Sequence, residues 1–503
     1  MKDKLFARKT MSALQIEADS SPLRRSLGVF DITMLGIGAI IGTGIFVLTG
    51  EAAAGTEHAL GAGPALTISF VITGLACAFA ALCYAEFAAM VPVSGSAYTY
   101  SYASFGELIA WIIGWDLVLE YAVGNVAVAI GWSGYFKNML DGFGIYMPGW
   151  MCGATGTDMV LLPTGQWTAM GPAVLERFGE AASTYTHTTA IFNFPALLIT
   201  FLVTTLLLIG IRESARVNAL LVVVKLALVT LFLIFGVPHF NPDIHWQEFA
   251  PNGWKGIMAG AALVFFAYIG FDAVSTTAEE ARNPQRDLPI GMMLALLICT
   301  LLYVAVAAVL TGMVPLSILD NEKPVVEALA AVGENKIALL IATGVVLTMP
   351  TVLLVMQLGQ IRIFYTMSRD GLLSPRFSKI HQKFRTPSFA TIVVGIFVGV
   401  FAATVDIGAA AELTNIGTLF AFVLVATGVW ILRVKQPGLK RRFRTPAYRV
   451  TCFLCIAICL SLMLALPLPT WIRFFVWMAI GISIYFLYGI KHSKLRQIGS
   501  APQ

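Results

Sequence analysis

The sequence predicts an all-α membrane protein with about twelve transmembrane helices. Of its 503 residues, 58% are hydrophobic and only 12% are charged, whereas about a quarter of the residues in an ordinary soluble chain are charged. Apolar runs also recur from one end of the chain to the other. Each has roughly the 20 residues that a helix needs to cross a bilayer. These runs exclude the two or three soluble domains that the length alone would suit.

Each apolar run is interpreted as one span, taken here in chain order. The predicted spans cover residues 31–50, 65–91, 105–136, 191–210, 215–237, 255–280, 287–313, 336–368, 387–404, 409–432, 447–466 and 470–490. The residues before the first span are polar and of mixed charge, so no cleavable signal peptide is expected. An even number of spans places both termini on the same side.

The distribution of Lys and Arg predicts which side that is. With both termini cytoplasmic, 26 of the 33 basic residues lie on the cytoplasmic side, six lie outside, and Lys225 lies within a span. Cytoplasmic loops of membrane proteins are enriched in basic residues. We therefore predict a multi-pass protein of the inner or plasma membrane with a cytoplasmic tail at 491–503 and an external loop at 137–190. Within the cytoplasmic segment 1–30, the stretch 3–16 is either a short amphipathic helix or a simple polar tail.

The first span is predicted to be broken near its middle. Gly36, Gly38, Gly42 and Gly44 fall within nine residues, and glycine destabilises a helix. Unwound backbone survives in lipid only where protein or a water-filled cavity satisfies its polar groups. Glycines in membrane helices also allow close packing, so this helix alone leaves both interpretations open. The spacing does not fit a dinucleotide-binding loop, because it has one residue too many and no strand before it.

The sixth span has a similar weakness, with Gly270 and Asp272 near its middle. If 31–237 and 255–432 are two five-helix repeats, the two breaks fall at corresponding positions. Because five is odd, the second repeat must be inverted, and 447–490 adds two C-terminal helices. Paired interruptions of this kind indicate a transporter site near the bilayer midplane.

Two facing breaks have the chemistry to bind an amino acid. Amides at the N-terminus of a half-helix attract an anion, and carbonyls at a broken C-terminal end attract a cation. An amino acid carries both charges close together, so the pattern predicts a transporter of amino acids. A membrane sensor or membrane enzyme is the alternative class, but no HExxH, GxSxG or other catalytic motif occurs in the spans. Accordingly, no enzymatic activity, cofactor, metal or nucleic-acid partner is expected.

Lys225 is the candidate for coupling transport to protons. A charge at its depth in the bilayer costs on the order of several kcal/mol, so such residues are functional candidates by default. A permanent ion pair that only locks helices together is the alternative. The acidic residues within spans are Glu86, Asp116, Glu120 and Asp272. Of these, Glu120 and Asp272 are favoured as partners in the coupling.

The cysteines are interpreted mainly as small packing residues. Cys452, Cys455 and Cys459 fall on one helical face, but no second cluster completes a metal-ligand set. Cys152 lies alone in the loop at 137–190.

Several motifs, in order, resemble the amino acid–polyamine–organocation superfamily. They are GAIIGTGIF at 38–46, VPVSGSAYTYSY at 91–102, WDLVLEYAVG at 115–124, FAYIGFDAVSTTAEEARNP at 266–284 and GQIRIFYTMSRDGLLSP at 359–375. The match is to the cationic amino acid transporter branch in its bacterial twelve-helix form, and it covers about residues 24–490. Some relatives join an accessory chain through the external loop by a disulfide, although this branch usually does not. A small membrane subunit at Cys152 is therefore left open.

The resemblance implies roles for particular residues. The substrate carboxylate is expected at Gly42, Thr43 and Gly44. The substrate ammonium is expected at the carbonyls of Ile40, Phe266, Ala267 and Ile269. Phe266 is expected to gate the substrate, and Lys225 to lie where sodium-coupled relatives bind sodium, with Glu120 and Asp272 nearby.

The side-chain pocket decides between the substrates that the resemblance allows. Met349 matches a pocket position, and an apolar residue there favours small neutral amino acids over cationic ones. Pro350 departs from the expected pattern beside it. The leading hypothesis is proton-coupled uptake of an L-amino acid by alternating access. The alternative is an exchanger of cationic amino acids or polyamines.

Overall fold

The structure is a computed structural model. This structure describes residues 27–55, 60–90, 96–171, 174–175, 178–210, 215–275, 281–439, 441 and 443–498. The predicted amphipathic stretch at 3–16 lies outside these residues.

Long apolar helices dominate the described residues, as predicted. Seven of them are long and apolar enough to cross a membrane: Gly63–Met90, Glu107–Gly142, Ala219–His239, Pro284–Met313, Asn335–Arg369, Ile407–Lys435 and Leu468–Arg496. An eighth candidate is the bent pair Val29–Ile40 and Gly44–Ala54, and four shorter apolar helices accompany them. The chain is thus a multi-pass helical membrane protein. The number twelve and the inverted repeat remain predictions.

The α-helices are numbered here in chain order. Those before residue 280 are α1 Val29–Ile40, α2 Thr49–Ala54, α3 Leu66–Met90, α4 Ser96–Ser104, α5 Glu107–Gly142, α6 Phe194–Ile209, α7 Ala215–Gly236, α8 Pro242–His245, α9 Gly253–Val264 and α10 Phe271–Ser275. Those after it are α11 Pro284–Met313, α12 Leu316–Leu319, α13 Pro324–Ala331, α14 Asn335–Thr348, α15 Pro350–Arg369, α16 Ser388–Thr404, α17 Ile407–Lys435, α18 Tyr448–Leu464, α19 Leu468–Ile484, α20 Ile490–His492 and α21 Lys494–Ile498. Short 3₁₀-helices lie at Gly63–Ala65, Gly149–Met151, Gly179–Thr184, Val237–His239, Phe265–Tyr268 and Pro375–Ser378, and π-helices at Gly44–Leu48 and Tyr485–Gly489.

Helix α5 lies at the centre of the bundle. From Ala110 to Ser133 almost every residue is buried, including Trp111, Asp116 and Glu120. A helix that is enclosed all round belongs in the core of a large protein. Polar residues on α5 therefore face other helices rather than lipid.

The loop predicted at 137–190 begins later in the structure, and part of it is folded into β-strands. Helix α5 continues to Gly142, so Lys137 is helical. The loop itself contains three short strands, β1 Asp158–Leu161, β2 Trp167–Ala169 and β3 His187–Thr189, in an antiparallel sheet of order β2-β1-β3. Its own small core of Val160, Leu162, Val174 and Ala182 stabilises this sheet. The loop, for which the sequence predicted no regular structure, thus carries a small β-sheet beside the helical bundle.

The C-terminal tail, predicted from residue 491, packs against the bundle as far as Ile498. Arg496 Nε donates to Glu107 Oε1 at 2.8 Å, and Ser493 Oγ donates to the same buried carboxylate. Lys494 N donates to the carbonyl of Asp370 at 3.1 Å. We call this end of the bundle, with Glu107, Asp370 and α21, the terminal face. The end that carries the β-sheet is the loop face.

Candidate functional site

The first predicted break is present at its expected position. Helix α1 ends at Ile40, and Ile41 is extended with φ −74° and ψ 104°. The chain becomes helical again at Thr43 and continues as a π-helix from Gly44 to Leu48. The axes of the two pieces differ by 43°.

The second break lies after the 3₁₀-turn that follows α9. Ile269 is extended with φ −60° and ψ 137°, and Gly270 has φ +115° before α10 begins at Phe271. Only glycine adopts that positive φ without strain. A Cβ at Gly270 would also lie 2.8 Å from the carbonyl oxygen of Ala39, so α1 requires a glycine here.

The two breaks touch each other. A Cβ built on Gly44 would lie 2.2 Å from the Cα of Ala267 and 2.7 Å from its nitrogen. The two backbones are therefore in direct contact at this point, and no movement of a side chain could make room for a methyl group on residue 44. The structure thus brings the residues predicted for the carboxylate beside those predicted for the ammonium.

The break leaves carbonyls at the end of α1 without their helical partners, and side chains from other helices bind two of them. Lys225 Nζ, on α7, donates to the carbonyl of Gly38 at 2.8 Å, and this lysine is 1% exposed. Tyr303 Oη, on α11, lies 2.9 Å from the carbonyl of Ile40 and 3.0 Å from that of Ala267. One hydroxyl thus bridges two of the carbonyls predicted to bind the substrate ammonium.

Thr43 lies at the other side of the first break. It is 1% exposed, and its hydroxyl has no hydrogen-bond partner among the described residues. A buried, unsatisfied hydroxyl is costly unless a ligand or water completes it. Thr43 is therefore available to a carboxylate bound at Gly42–Gly44.

The residues predicted for the pocket are buried near these breaks. Phe266 is 4% exposed within the second break, and Met349 is 1% exposed between α14 and α15. Val352, one turn after Met349, would lie 3.2 Å from a Cβ at Gly42. The α14–α15 junction therefore packs against the first break. Pro350 begins α15 within the span Asn335–Arg369 and has no N–H for the carbonyl of Val346. That carbonyl accepts from Trp132 Nε1 at 2.9 Å instead.

The acids predicted for coupling belong to one buried polar group on α5 and α10. Tyr121 Oη donates to Asp272 Oδ2 at 3.1 Å, and the amide of Gly270 donates to Asp272 Oδ1 at 3.3 Å. Glu120 is 1% exposed, and Asp272 and Asp116 are its acidic neighbours. Both carboxylate oxygens of Asp116 lack a hydrogen-bond partner among the described residues.

Glu86, also considered as a partner of Lys225, belongs to another cluster. It accepts from Arg433 Nε and Nη2, each at 2.8 Å, and Arg441 Nε lies 3.2 Å from Oε1. The amide of Thr445 donates to its Oε2 at 2.8 Å. Glu86 therefore ties α3 to the segment between α17 and α18.

Two tyrosines of the site were not among the predicted residues. Tyr303 and Tyr121 are both fully enclosed, and both donate to groups at the breaks. Their sequence signal was weak, because a tyrosine in an apolar helix is ordinary packing material. The buried cysteines behave as expected for packing residues, with Cys83 and Cys452 in contact at 3.9 Å between α3 and α18.

Discontinuous helices that meet inside a multi-pass bundle define the class of secondary transporters. Comparison with known sequences gives the family: the chain belongs to the amino acid permease family, whose model matches residues 27–485. It is therefore a transporter rather than an enzyme, and the predicted superfamily is confirmed.

Individual relatives resemble the chain along most of its length. It is 47% identical over 500 residues to the branched-chain amino acid permease BcaP of Bacillus subtilis, covering 99% of this chain and 100% of the relative. It is 44% identical over 493 residues to the methylthioribose transporter of the same organism, covering 98% and 99%. It is also 36% identical over 441 residues to the vacuolar cationic amino acid transporter 4 of Arabidopsis thaliana, covering 86% and 68%.

Proposed function

We propose that this protein takes up neutral L-amino acids with aliphatic side chains, coupled to protons, by alternating access. The observation that carries the proposal is the contact between the Lys225 ammonium and the Gly38 carbonyl at the first break. A buried ammonium in this position links its own charge state to the conformation of the helix that holds the substrate. Loss of its proton removes the strongest donor to that carbonyl and weakens the tie between α7 and α1.

The substrate would lie between the two breaks. Its carboxylate would accept hydrogen bonds from the Thr43 hydroxyl and from the backbone amides around Gly42 and Gly44. Its ammonium would compete with Tyr303 for the carbonyls of Ile40 and Ala267. The carbonyls of Phe266 and Ile269 would complete the ammonium site. Glu120 and Asp272 would carry or relay the coupling proton on the neighbouring helices.

An aliphatic side chain suits the buried apolar residues Phe266 and Met349 better than a guanidinium group does. BcaP is named a branched-chain amino acid permease, which supports the same substrate class. The methylthioribose transporter is a counter-example of similar identity, since methylthioribose carries neither an ammonium nor a carboxylate. The alternative function is exchange of cationic amino acids or polyamines. The name of the Arabidopsis relative, a cationic amino acid transporter, supports the cationic amino acids of this alternative.

Within this proposal, the chain crosses the cell membrane twelve times with both termini cytoplasmic. Residues 31–237 and 255–432 form the two inverted repeats, and 447–490 forms two further helices. The terminal face is then cytoplasmic and the loop face is external. The excess of Lys and Arg on the terminal side supports this orientation.

Uptake into proteoliposomes tests the substrate and the coupling together. Radiolabelled leucine, lysine and methylthioribose are supplied with and without an inward proton gradient. We expect accumulation of leucine that requires the gradient and is abolished in Lys225→Ala but retained in Lys255→Ala, a matched change at an exposed lysine. Gradient-independent uptake, or accumulation by Lys225→Ala, would contradict the coupling.

Preloading separates uptake from exchange. If leucine or lysine enters only vesicles that already contain amino acid, the protein is an exchanger. If methylthioribose enters and leucine does not, the proposed substrate class is wrong.

A further inference from the structure

A large cavity lies on the loop face, separate from the space between the breaks. Its volume is about 880 Å³. The β-sheet covers it through residues such as Met159 and Thr168, and its inner end includes Val47 of the π-helix. Thr43 and Val47 pack side by side against Gly131, where their methyl groups would lie 2.6 and 3.0 Å from a Cβ. The cavity therefore ends about one helical turn from the first break.

Four carboxylates line this cavity: Glu51, Asp320, Glu322 and Asp406. Two of them lie close together, because Glu51 Oε1 and Asp406 Oδ2 are each 3.2 Å from the Cβ position of Gly408. Asp406 Oδ2 also caps α17 by accepting from the amides of Gly408 and Ala409. Glu51 Oε2 is enclosed and has no hydrogen-bond partner among the described residues. Glu51 has four acidic neighbours: Asp406, Asp320, Glu322 and Glu412.

The two lysines of the cavity are engaged elsewhere. Lys137 Nζ donates to the carbonyl of Trp167 in β2. Lys323 Nζ forms an ion pair with Glu327 Oε1 at 2.8 Å. Neither lysine forms an ion pair with Glu51 or Asp406 in the described part of the chain, and the four carboxylates of the lining outnumber its two lysines.

We propose that this cavity binds an organic ammonium group, with Glu51 and Asp406 as its acceptors. Carboxylates on converging low-dielectric walls concentrate cations, and a primary ammonium has three donors for the oxygens present. The described His, Cys, Asp and Glu side chains include no group of three or more that could hold a metal ion. The volume accommodates a whole amino acid or diamine rather than a bare ion.

If the proposed function is right, an external amino acid meets this cavity before it reaches the breaks. This role in transport rests on the proposed function, whereas the binding of an ammonium group in the cavity does not. Cadaverine tests it separately, because this diamine has no carboxylate for the Thr43 side of the first break.

The experiment titrates cadaverine and, separately, leucine into the purified full-length protein and follows binding by calorimetry. The variants are Glu51→Gln and Asp406→Asn, with Asp243→Asn as the control at an exposed acid outside the cavity. Asn still caps α17 at position 406, so that variant keeps the helix start. Potassium chloride is added as the competitor, at a concentration that supplies the same positive charge as the cadaverine.

We expect cadaverine to bind the wild type and Asp243→Asn and to bind Glu51→Gln and Asp406→Asn roughly tenfold or more weakly, as loss of one charged acceptor predicts. Potassium should not displace it. Cadaverine affinity that is the same in all four proteins, or equal displacement by potassium, would overturn the ammonium site even if leucine is transported. Cadaverine binding that depends on Glu51 while leucine neither binds nor is transported would instead reject the proposed function and keep the site.

Discussion

At the scale of single residues, Tyr303 has the most specific role. Its hydroxyl bridges the carbonyls of Ile40 and Ala267, so it closes the space between the breaks from the side of α11. A substrate ammonium must share or replace this donor. The residue therefore stabilises the substrate-free protein and competes with the substrate.

Tyr303→Phe should separate these two effects. Removing the hydroxyl leaves two buried carbonyls without it and should lower the free energy of unfolding by about 1–3 kcal/mol. Stabilisation by leucine should increase at the same time, because the competing donor is gone. Thermal melting with and without leucine measures both.

Tyr98→Phe is the matched control, since its buried hydroxyl donates to Asp370 Oδ2 at 2.8 Å on the terminal face, at the other end of the bundle from the loop face. It should lose stability without a larger response to leucine. An equal response to leucine in the two variants would remove Tyr303 from the site.

Gly44 is the second residue on which the site depends. Gly44→Ala places a methyl group 2.2 Å from the Cα of Ala267, and overpacking of this kind costs about 1–3 kcal/mol. Leucine uptake should fall roughly tenfold or more, the effect of about 1.4 kcal/mol. Gly438→Ala, where nothing lies within 4 Å of the added Cβ, should leave uptake unchanged; wild-type uptake by Gly44→Ala would contradict the contact between the breaks.

At the scale of elements, the helices were predictable and their side-chain partners were not. Apolar length predicted the seven long apolar helices, and clustered glycines predicted the break after Ile40, because both signals are local. The tie from Lys225 to Gly38 joins residues 187 positions apart, so the sequence indicated a buried lysine but not its acceptor. For Glu86 the sequence suggested a partner that the structure does not give it. Lys225 was its candidate partner, but its carboxylate binds arginines that lie beyond residue 430.

The cluster around Glu86 predicts a large structural effect. Its carboxylate is 1% exposed and joins α3 to Arg433, Arg441 and Thr445. Glu86→Ala leaves two arginines without their buried acceptor and should cost about 3–5 kcal/mol of stability. Asp158→Asn, which removes a half-exposed ion pair with His187, should cost less than about 1 kcal/mol. Comparable melting temperatures for the two variants would show that the Glu86 cluster does not hold these helices together.

At the scale of the whole molecule, the cavity on the loop face ends about one helical turn from the first break. The loop at 137–190 was predicted as an external loop, but its sheet and the cavity beneath it were not. They are made by residues far apart in sequence, from Val47 to Ile407. No local pattern in the sequence brings these residues together.

The charge of the cavity should respond to pH near neutrality. Burial, together with Asp406, raises the pKa of Glu322 to about 7, while Lys137 and Lys323 oppose the rise. Burial also raises the pKa of Asp320. Glu322 is thus mostly neutral at pH 6 and mostly ionised at pH 8, so the cavity becomes more negative as the pH rises.

Cadaverine should therefore bind more tightly at pH 8 than at pH 6, by roughly threefold to tenfold for one added charge nearby. Glu51 and Asp406 face the same cavity and remain in Glu322→Gln, which should reduce the pH dependence while retaining binding. The measurement is the same titration at the two pH values. Affinity that falls as the pH rises would contradict the assigned charge.

Proton movement during transport is the sharpest test of coupling through Lys225. Proteoliposomes loaded with a pH-sensitive dye receive external leucine without an imposed proton gradient. We expect leucine to acidify the interior with the wild type and Lys255→Ala but not with Lys225→Ala. Leucine that enters wild-type vesicles while the internal pH stays constant would contradict it.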